Sequence, residues 1–125
     1  MSYQSDIAKV KGLGSVKHGF GHWWMQRLTA VLLVPTGLFV LISFMKLDGL
    51  TAATVVSWMQ SPINSILLLL FLLTATYHGA LGLQVVVEDY VGSHAFQLVL
   101  QYLIKIIMIL LMMVNTYSVS SVLFG

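Results

Sequence analysis

His78 is the residue with the clearest chemical potential in this sequence, because it lies within a long apolar stretch. The segment 63–87 that contains it has no formally charged residue. An ionisable side chain in such a segment is costly and by default marks a functional site. A neutral imidazole in an apolar bundle can ligate a haem iron. It can also be satisfied by a carbonyl or hydroxyl of a neighbouring helix, and the spacing alone leaves both interpretations open.

Two glycines, Gly79 and Gly82, follow this histidine. At about 100° per residue, Gly82 lies about 40° from His78 around a helix and one turn further along. Missing side chains at these positions leave room for a flat group beside the helix. They also permit close packing against a neighbouring helix, which is the simpler explanation.

The same apolar segment ends in a polar cluster formed by Glu88, Asp89 and Tyr90. Asp89 falls within roughly 20° of the His78 face and about 16 Å further along the helix. A phenol at this boundary can donate a hydrogen bond to a quinone carbonyl, and an adjacent carboxylate can relay protons. The alternative is a solvated helix end with a tyrosine of the aromatic belt. Acidic groups at a helix C-terminus oppose its dipole, which favours a specific role.

Polar residues also precede the first apolar stretch. Arg27 is expected near the membrane boundary, where its guanidinium could meet a haem propionate or a lipid phosphate. His22 lies outside the apolar stretch, where a surface histidine is the default interpretation. The sequence has no cysteine. Thiolate zinc sites, iron–sulfur clusters and covalently attached haem are therefore excluded, and any metal must be held by other side chains.

The composition defines the environment in which these residues act. Of 125 residues, 58% are hydrophobic and 8% are charged, and the mean hydropathy is +0.93. Soluble domains carry about a quarter charged residues, so this composition predicts a membrane protein and argues against a soluble enzyme. The formal net charge is only +2, and we expect no nucleic-acid partner.

Three apolar stretches predict an all-α membrane protein with three transmembrane helices. We place the spans at about 24–46, 62–88 and 95–122, within an anchor domain 22–125 that follows an amino-terminal segment 1–21. A span needs about 20 apolar residues. Pro62 is a favourable first helical residue, and residues 91–93 predict a tight turn. Residues 50–60 predict a short interfacial helix with Trp58 as its anchor.

Basic residues set the predicted orientation. Lys9, Lys11, Lys17 and Arg27 precede the first span, whereas Lys46 alone lies between the first and second spans. The positive-inside rule therefore places the amino end in the cytoplasm and the carboxyl end in the periplasm. His78 is the one histidine predicted deep in the membrane, so a haem with two imidazole ligands needs the second ligand from another chain.

From about Gly19 to the end of the third span, the chain resembles the second membrane-anchor subunit of succinate dehydrogenase. This is the small cytochrome b-type hydrophobic subunit of complex II. Residues 77–91 resemble the His-x10-Asp-Tyr signature of that family, with His78, Asp89 and Tyr90 at its fixed positions. Residues 22–30 resemble the form found in alphaproteobacterial members.

The resemblance implies a haem b shared with a companion cytochrome b anchor subunit. His78 would be one axial ligand of the iron, and Arg27 would lie near the propionates. His22 would be a weaker candidate for a residue near the propionates, because the spacing between this histidine and the arginine varies among relatives. Gly79 and Gly82 would allow close helix packing at the haem.

The resemblance also implies a quinone site and soluble partners. Tyr90 would bond the ubiquinone head group with Asp89 beside it, while flavoprotein and iron–sulfur subunits dock on the anchor. No catalytic residue is expected in this chain alone. The chain would span the bacterial inner membrane several times, in contact with lipid.

Three alternatives stay open at this stage. A fumarate reductase-type quinol enzyme would use an anchor with the same local chemistry in the opposite direction. A non-redox three-span scaffold would explain the spans and the small residues, but not the His-x10-Asp-Tyr face. A self-contained homodimeric cytochrome would place His78 from each copy on one haem.

Overall fold

Four helices make up nearly all of the part of the chain that can be described. The computed structural model describes residues 16–125, with side chains from Phe20 onward. The helices are α1 (Val16–Met45), α2 (Ala52–Met59), α3 (Pro62–Tyr90) and α4 (His94–Phe124). Most of the predicted amino-terminal segment 1–21 lies outside the described residues.

Three of these helices are long and apolar enough to cross a membrane. The membrane-spanning candidates are Phe20–Met45, Pro62–Tyr90 and His94–Phe124. The prediction of an all-α protein with three transmembrane helices is therefore confirmed. Helix α1 begins at Val16, which lies inside the predicted amino-terminal segment 1–21.

Helix α2 is held at both of its ends by short polar side chains. The Thr51 hydroxyl accepts a hydrogen bond from the Thr54 backbone N–H at 3.2 Å, and the Thr54 hydroxyl accepts one from the Thr51 N–H at 3.1 Å. These reciprocal bonds form a capping box. At the other end, the Asn64 amide donates to the Trp58 carbonyl at 2.9 Å. The short helix predicted between the first two spans is thus present and tied to α3.

Trp58 packs against α1, a contact that the sequence did not predict. Its ring centroid lies 5.2 Å from that of Phe44 in an edge-on arrangement and 6.2 Å from that of Phe39. Aromatic pairs at these distances are stabilising beyond the area that they bury. The indole therefore joins α2 to α1.

All three spanning helices pack together near α2. Val40, Leu68 and Val119, one residue from each spanning helix, form a buried cluster. Nearby, a Cβ added at Gly37 would lie 3.3 Å from the Phe71 ring carbon Cε2, so a glycine allows α1 and α3 to approach closely here. We call this region, formed by α2 and this cluster, the α2 end.

The opposite end of the bundle contains the turn between α3 and α4, and we call it the Tyr90 end. The Ser93 hydroxyl caps α4 by accepting from the Phe96 N–H at 3.4 Å. The Gln97 amide donates to the Val91 carbonyl and to the Glu88 carbonyl. The predicted tight turn is confirmed, and Gln97 closes it.

Candidate functional site

His78 contacts the first spanning helix through one of its two ring nitrogens. Nδ1 lies 2.9 Å from the Thr29 hydroxyl oxygen, across the interface between α3 and α1. Thr29 is buried, with 6% of its surface exposed, and its hydroxyl also donates to the Met25 carbonyl at 2.7 Å. The two interpretations of His78 are therefore compatible. A neighbouring hydroxyl satisfies Nδ1, whereas Nε2 has no hydrogen-bond partner among the described residues.

A polar cavity of about 330 Å³ borders the imidazole, lined by Gln26, Arg27, Ala30 and His78. Here the structure brings together two of the residues that the sequence selected, Arg27 and His78. The Arg27 guanidinium carbon lies 5.6 Å from the centroid of the Trp23 ring, a cation–π distance. The side chain is exposed in the chain by itself. An anionic group that entered this cavity would therefore meet a fixed positive charge beside an imidazole.

Gly79 and Gly82 face open space in this chain. A Cβ added at either position would meet no atom of a neighbouring element within 4 Å. Among the described residues no helix packs closely on either glycine, so the simpler explanation offered by the sequence does not hold within this part of the chain. Gly79 borders a separate apolar cavity of about 480 Å³ between α3 and α4. Of the two glycines, Gly82 is separated from His78 by the smaller rotation about the helix axis.

His22 lies in a different cavity from Arg27 and His78. It borders a space of about 400 Å³ between α1, α3 and α4, together with Gln84 and Lys105. Its Nε2 atom is buried and has no hydrogen-bond partner among the described residues. The structure therefore does not bring His22 into the cavity that Arg27 shares with His78.

Asp89 and Tyr90 lie at the end of α3, well away from the imidazole. Twelve residues of helix separate Tyr90 from His78, which corresponds to about 18 Å along the axis. Tyr90 is 84% exposed, and Asp89 is also exposed. The third member of the cluster, Glu88, has a structural role, since its carboxylate oxygen accepts a hydrogen bond from the Gln101 amide at 3.3 Å. The chain thus carries two candidate sites, one between the helices and one at the Tyr90 end.

The donor set fits a haem better than a metal ion held by protein ligands alone. Among residues whose placement is described, no group of three or more His, Cys, Asp or Glu could hold a metal ion. A porphyrin supplies four equatorial ligands itself, and the protein supplies axial imidazoles and cations near the porphyrin carboxylates. His78, the neighbouring Arg27 and the open face at Gly82 match these requirements on one side of a haem.

Thr29 is the site residue that sequence reasoning missed. A signal was present, because Thr29 and Thr36 are seven residues apart and therefore share one face of an otherwise apolar helix. Both are buried, with 6% of their surface exposed. That spacing indicates a face turned toward another helix. It does not show which residue of the other helix lies opposite.

The fold and this site define a class of protein, an all-α membrane protein with three candidate spans that carries an imidazole and a guanidinium beside one cavity. The chain belongs to the family described as succinate dehydrogenase/fumarate reductase transmembrane subunit, whose model matches residues 1–119.

Individual relatives agree with this family. The chain is 37% identical over 109 residues to the succinate dehydrogenase hydrophobic membrane anchor subunit of Rickettsia bellii, covering 86% of each chain. It is 34% identical over 109 residues to the protein of the same name from Rickettsia typhi, again covering 86% of each. The succinate dehydrogenase membrane anchor subunit of Reclinomonas americana is 32% identical over 99 residues, covering 77% of this chain and 82% of the relative.

Proposed function

We propose that this chain is the hydrophobic membrane anchor of a succinate dehydrogenase, and specifically the second, cytochrome b-type anchor of the alphaproteobacterial form. The relatives that are named membrane anchor subunits align with this chain over most of their length. The observation that supports a haem-binding anchor over a plain scaffold is the cavity in which His78 and Arg27 meet. A plain scaffold has no need of an imidazole and a cation together between apolar helices.

His78 and Arg27 would hold haem b from this side, with the second imidazole supplied by a companion anchor subunit. When bound, the haem supplies a one-electron redox centre that the side chains of this protein lack. His78 would offer a ring nitrogen to the iron, and Arg27 would neutralise a propionate carboxylate. The open helix face at Gly82 leaves space for the edge of the flat ring.

Tyr90 and Asp89 would act on ubiquinone at the Tyr90 end. The Tyr90 phenol donates a hydrogen bond to a quinone carbonyl and orients the head group. The neighbouring Asp89 carboxylate passes protons from water toward the reduced oxygen. The high exposure of Tyr90 in the single chain supports this role, because a phenol at a site shared between subunits is covered only in the complex.

We place the Tyr90 end at the cytoplasmic face of the bacterial inner membrane, where the flavoprotein and iron–sulfur subunits dock. Succinate oxidation in the flavoprotein then feeds electrons through the iron–sulfur subunit to quinone. Arg27 precedes the long apolar part of α1 at this same end, while the α2 end faces the periplasm. The chain positions the quinone and the redox group and provides no catalytic centre by itself.

The experiment is to purify the chain with its native partners in mild detergent and measure flavin, haem and two activities. We expect His78→Ala to remove or shift the b-type haem spectrum. We expect Tyr90→Phe to abolish most quinone reduction while succinate oxidation by a soluble dye continues. Tyr102→Phe is the matched control, since Tyr102 is also exposed, at 64%, but lies on α4.

Three outcomes would contradict the proposal. An unchanged spectrum with full haem content in His78→Ala would exclude this ligand. Normal quinone turnover in Tyr90→Phe would exclude the quinone role. A preparation that retains its partners but carries neither flavin nor haem would support a non-redox scaffold.

A fumarate reductase-type anchor is the second candidate, because the family description includes both enzymes. The site chemistry is the same, and only the direction of electron flow differs. Comparing succinate oxidation by quinone with fumarate reduction by quinol in the purified complex separates the two. Faster fumarate reduction would favour the second candidate.

A further inference from the structure

The Thr29 hydroxyl has a single proton and three polar atoms within hydrogen-bond distance. The Met25 carbonyl oxygen lies at 2.7 Å, the Gln26 carbonyl oxygen at 3.1 Å and His78 Nδ1 at 2.9 Å. Both carbonyls belong to the same helix as Thr29, so helix geometry fixes their positions. The proton of Thr29 and the proton of the imidazole therefore have to be assigned together.

Only one tautomer of the imidazole satisfies the two short contacts. If Nδ1 carries the proton, it donates to the Thr29 oxygen, and the Thr29 proton goes to the Met25 carbonyl. If Nε2 carries the proton, Thr29 must donate to Nδ1. Its oxygen then faces the Met25 oxygen at 2.7 Å with no proton between them. Two oxygens at this distance repel unless a proton bridges them, since 2.7–2.8 Å is the usual length of a hydroxyl hydrogen bond.

We propose that Thr29 is a positioning residue that holds His78 as the Nδ1–H tautomer. The bond leaves the Nε2 lone pair free and fixes the rotation of the ring about the axis of the side chain. Nε2 is thereby the ligand nitrogen of His78. This consequence for the haem rests on the proposed function, whereas the tautomer itself is a property of this chain.

The Met25 carbonyl strengthens the arrangement. A hydroxyl that donates one hydrogen bond becomes a better acceptor for another, so the chain from Nδ1 to Thr29 to Met25 is cooperative. An acceptor at the second nitrogen of an imidazole ligand makes the ligating nitrogen more basic. More basic imidazoles favour the oxidised iron. Removing the hydroxyl is therefore expected to weaken haem retention and to raise the haem midpoint potential.

Thr36 provides a matched control within the same helix. Its hydroxyl donates to the Leu32 carbonyl at 2.6 Å and lies near the Leu33 carbonyl at 3.5 Å, so it repeats the backbone contacts of Thr29. It shares the 6% exposure of Thr29. No histidine contact accompanies it. Thr36→Val thus removes the same kind of buried hydroxyl without affecting an imidazole.

The first measurement is nitrogen-15 NMR of the full chain in lipid bilayers, labelled at histidine, with His78→Gln used to assign the signal. Protonated and unprotonated ring nitrogens have well-separated shifts. We expect Nδ1–H in the unsubstituted protein, in Thr29→Ser and in Thr36→Val, and a mixed or inverted tautomer in Thr29→Val. A predominant Nε2–H form in the unsubstituted protein would overturn the proposal.

The second measurement uses the purified complex and follows haem content, spectrum and midpoint potential. Thr29→Val is expected to weaken haem retention roughly tenfold, the lower end of the range for partners of metal ligands. It should also raise the midpoint potential, whereas Thr29→Ser restores both properties. Equal behaviour of Thr29→Val and Thr36→Val would overturn the positioning role. If the unsubstituted complex carried no haem, the proposed function would fail, and the tautomer measurement would still decide this inference.

Discussion

Replacing one glycine at a time with leucine distinguishes the two open faces of α3. Among the described residues, neither Gly79 nor Gly82 has an atom of a neighbouring element within 4 Å of an added Cβ, so the first side-chain atom of either leucine has room. Leucine is a better helix former than glycine by about 0.5–1 kcal/mol. Both variants of the isolated chain should therefore be as stable as the unsubstituted chain, or more stable by this amount.

The two variants should diverge once the chain is assembled. Gly82 lies about 40° from His78 around the helix, whereas Gly79 lies about 100° away and borders the apolar cavity between α3 and α4. If the edge of a haem contacts α3 at Gly82, a leucine there overfills the contact and costs about 1–3 kcal/mol. That cost corresponds to a loss of roughly 5- to 160-fold in haem affinity. Leucine at position 79 should leave haem affinity unchanged.

The assay is the haem-to-flavin ratio of the purified complex, together with unfolding of the isolated chain in mixed micelles. Gly37→Ala serves as a steric reference, since its Cβ would lie 3.3 Å from Phe71. Equal haem loss in Gly79→Leu and Gly82→Leu would refute the assignment of faces. Full haem retention in Gly82→Leu would show that no ring contacts this glycine.

Two further predictions concern stability. Leu68→Ala, in the buried cluster near α2, should lower the free energy of unfolding by about 2–5 kcal/mol, measured by denaturation in mixed micelles, while exposed Leu103→Ala should have little effect. Gly49 has a φ of 87° in the turn after α1, so Gly49→Ala should cost about 1–2 kcal/mol in the same assay, and an unchanged midpoint would show that the turn relaxes without strain.

The fold was predictable because its signals are local. Three apolar stretches of sufficient length, a proline at position 62 and a turn at 91–93 each specify a boundary without reference to distant residues. The structure places α3 and α4 within two residues of the predicted spans. The contact of Trp58 with Phe44 was not predictable in this way, because it depends on how α2 folds back onto α1.

The candidate site was predictable only one helix at a time. His78 stood out as an imidazole among apolar residues, and Arg27 as a cation before a span. Their meeting in one cavity, and the bond from His78 to Thr29, depend on the register between α1 and α3. The spacing of residues along a single helix carries no information about that register. His22 and Arg27 lie on the same helix, five residues and about 140° apart, so helix geometry alone turns them toward different cavities.

Polar groups beside two cavities give an unassembled copy a recognisable signature. Near α2, Val40, Leu68 and Val119 form a cluster that is buried within this chain. Toward the Tyr90 end, cavities border His78, Arg27 and Lys105, polar groups that are costly to leave in lipid. A copy without its partners therefore presents these polar groups, which a partner subunit would cover. Membrane proteases and chaperones that sort orphan subunits can use this difference to distinguish a free copy from an assembled one.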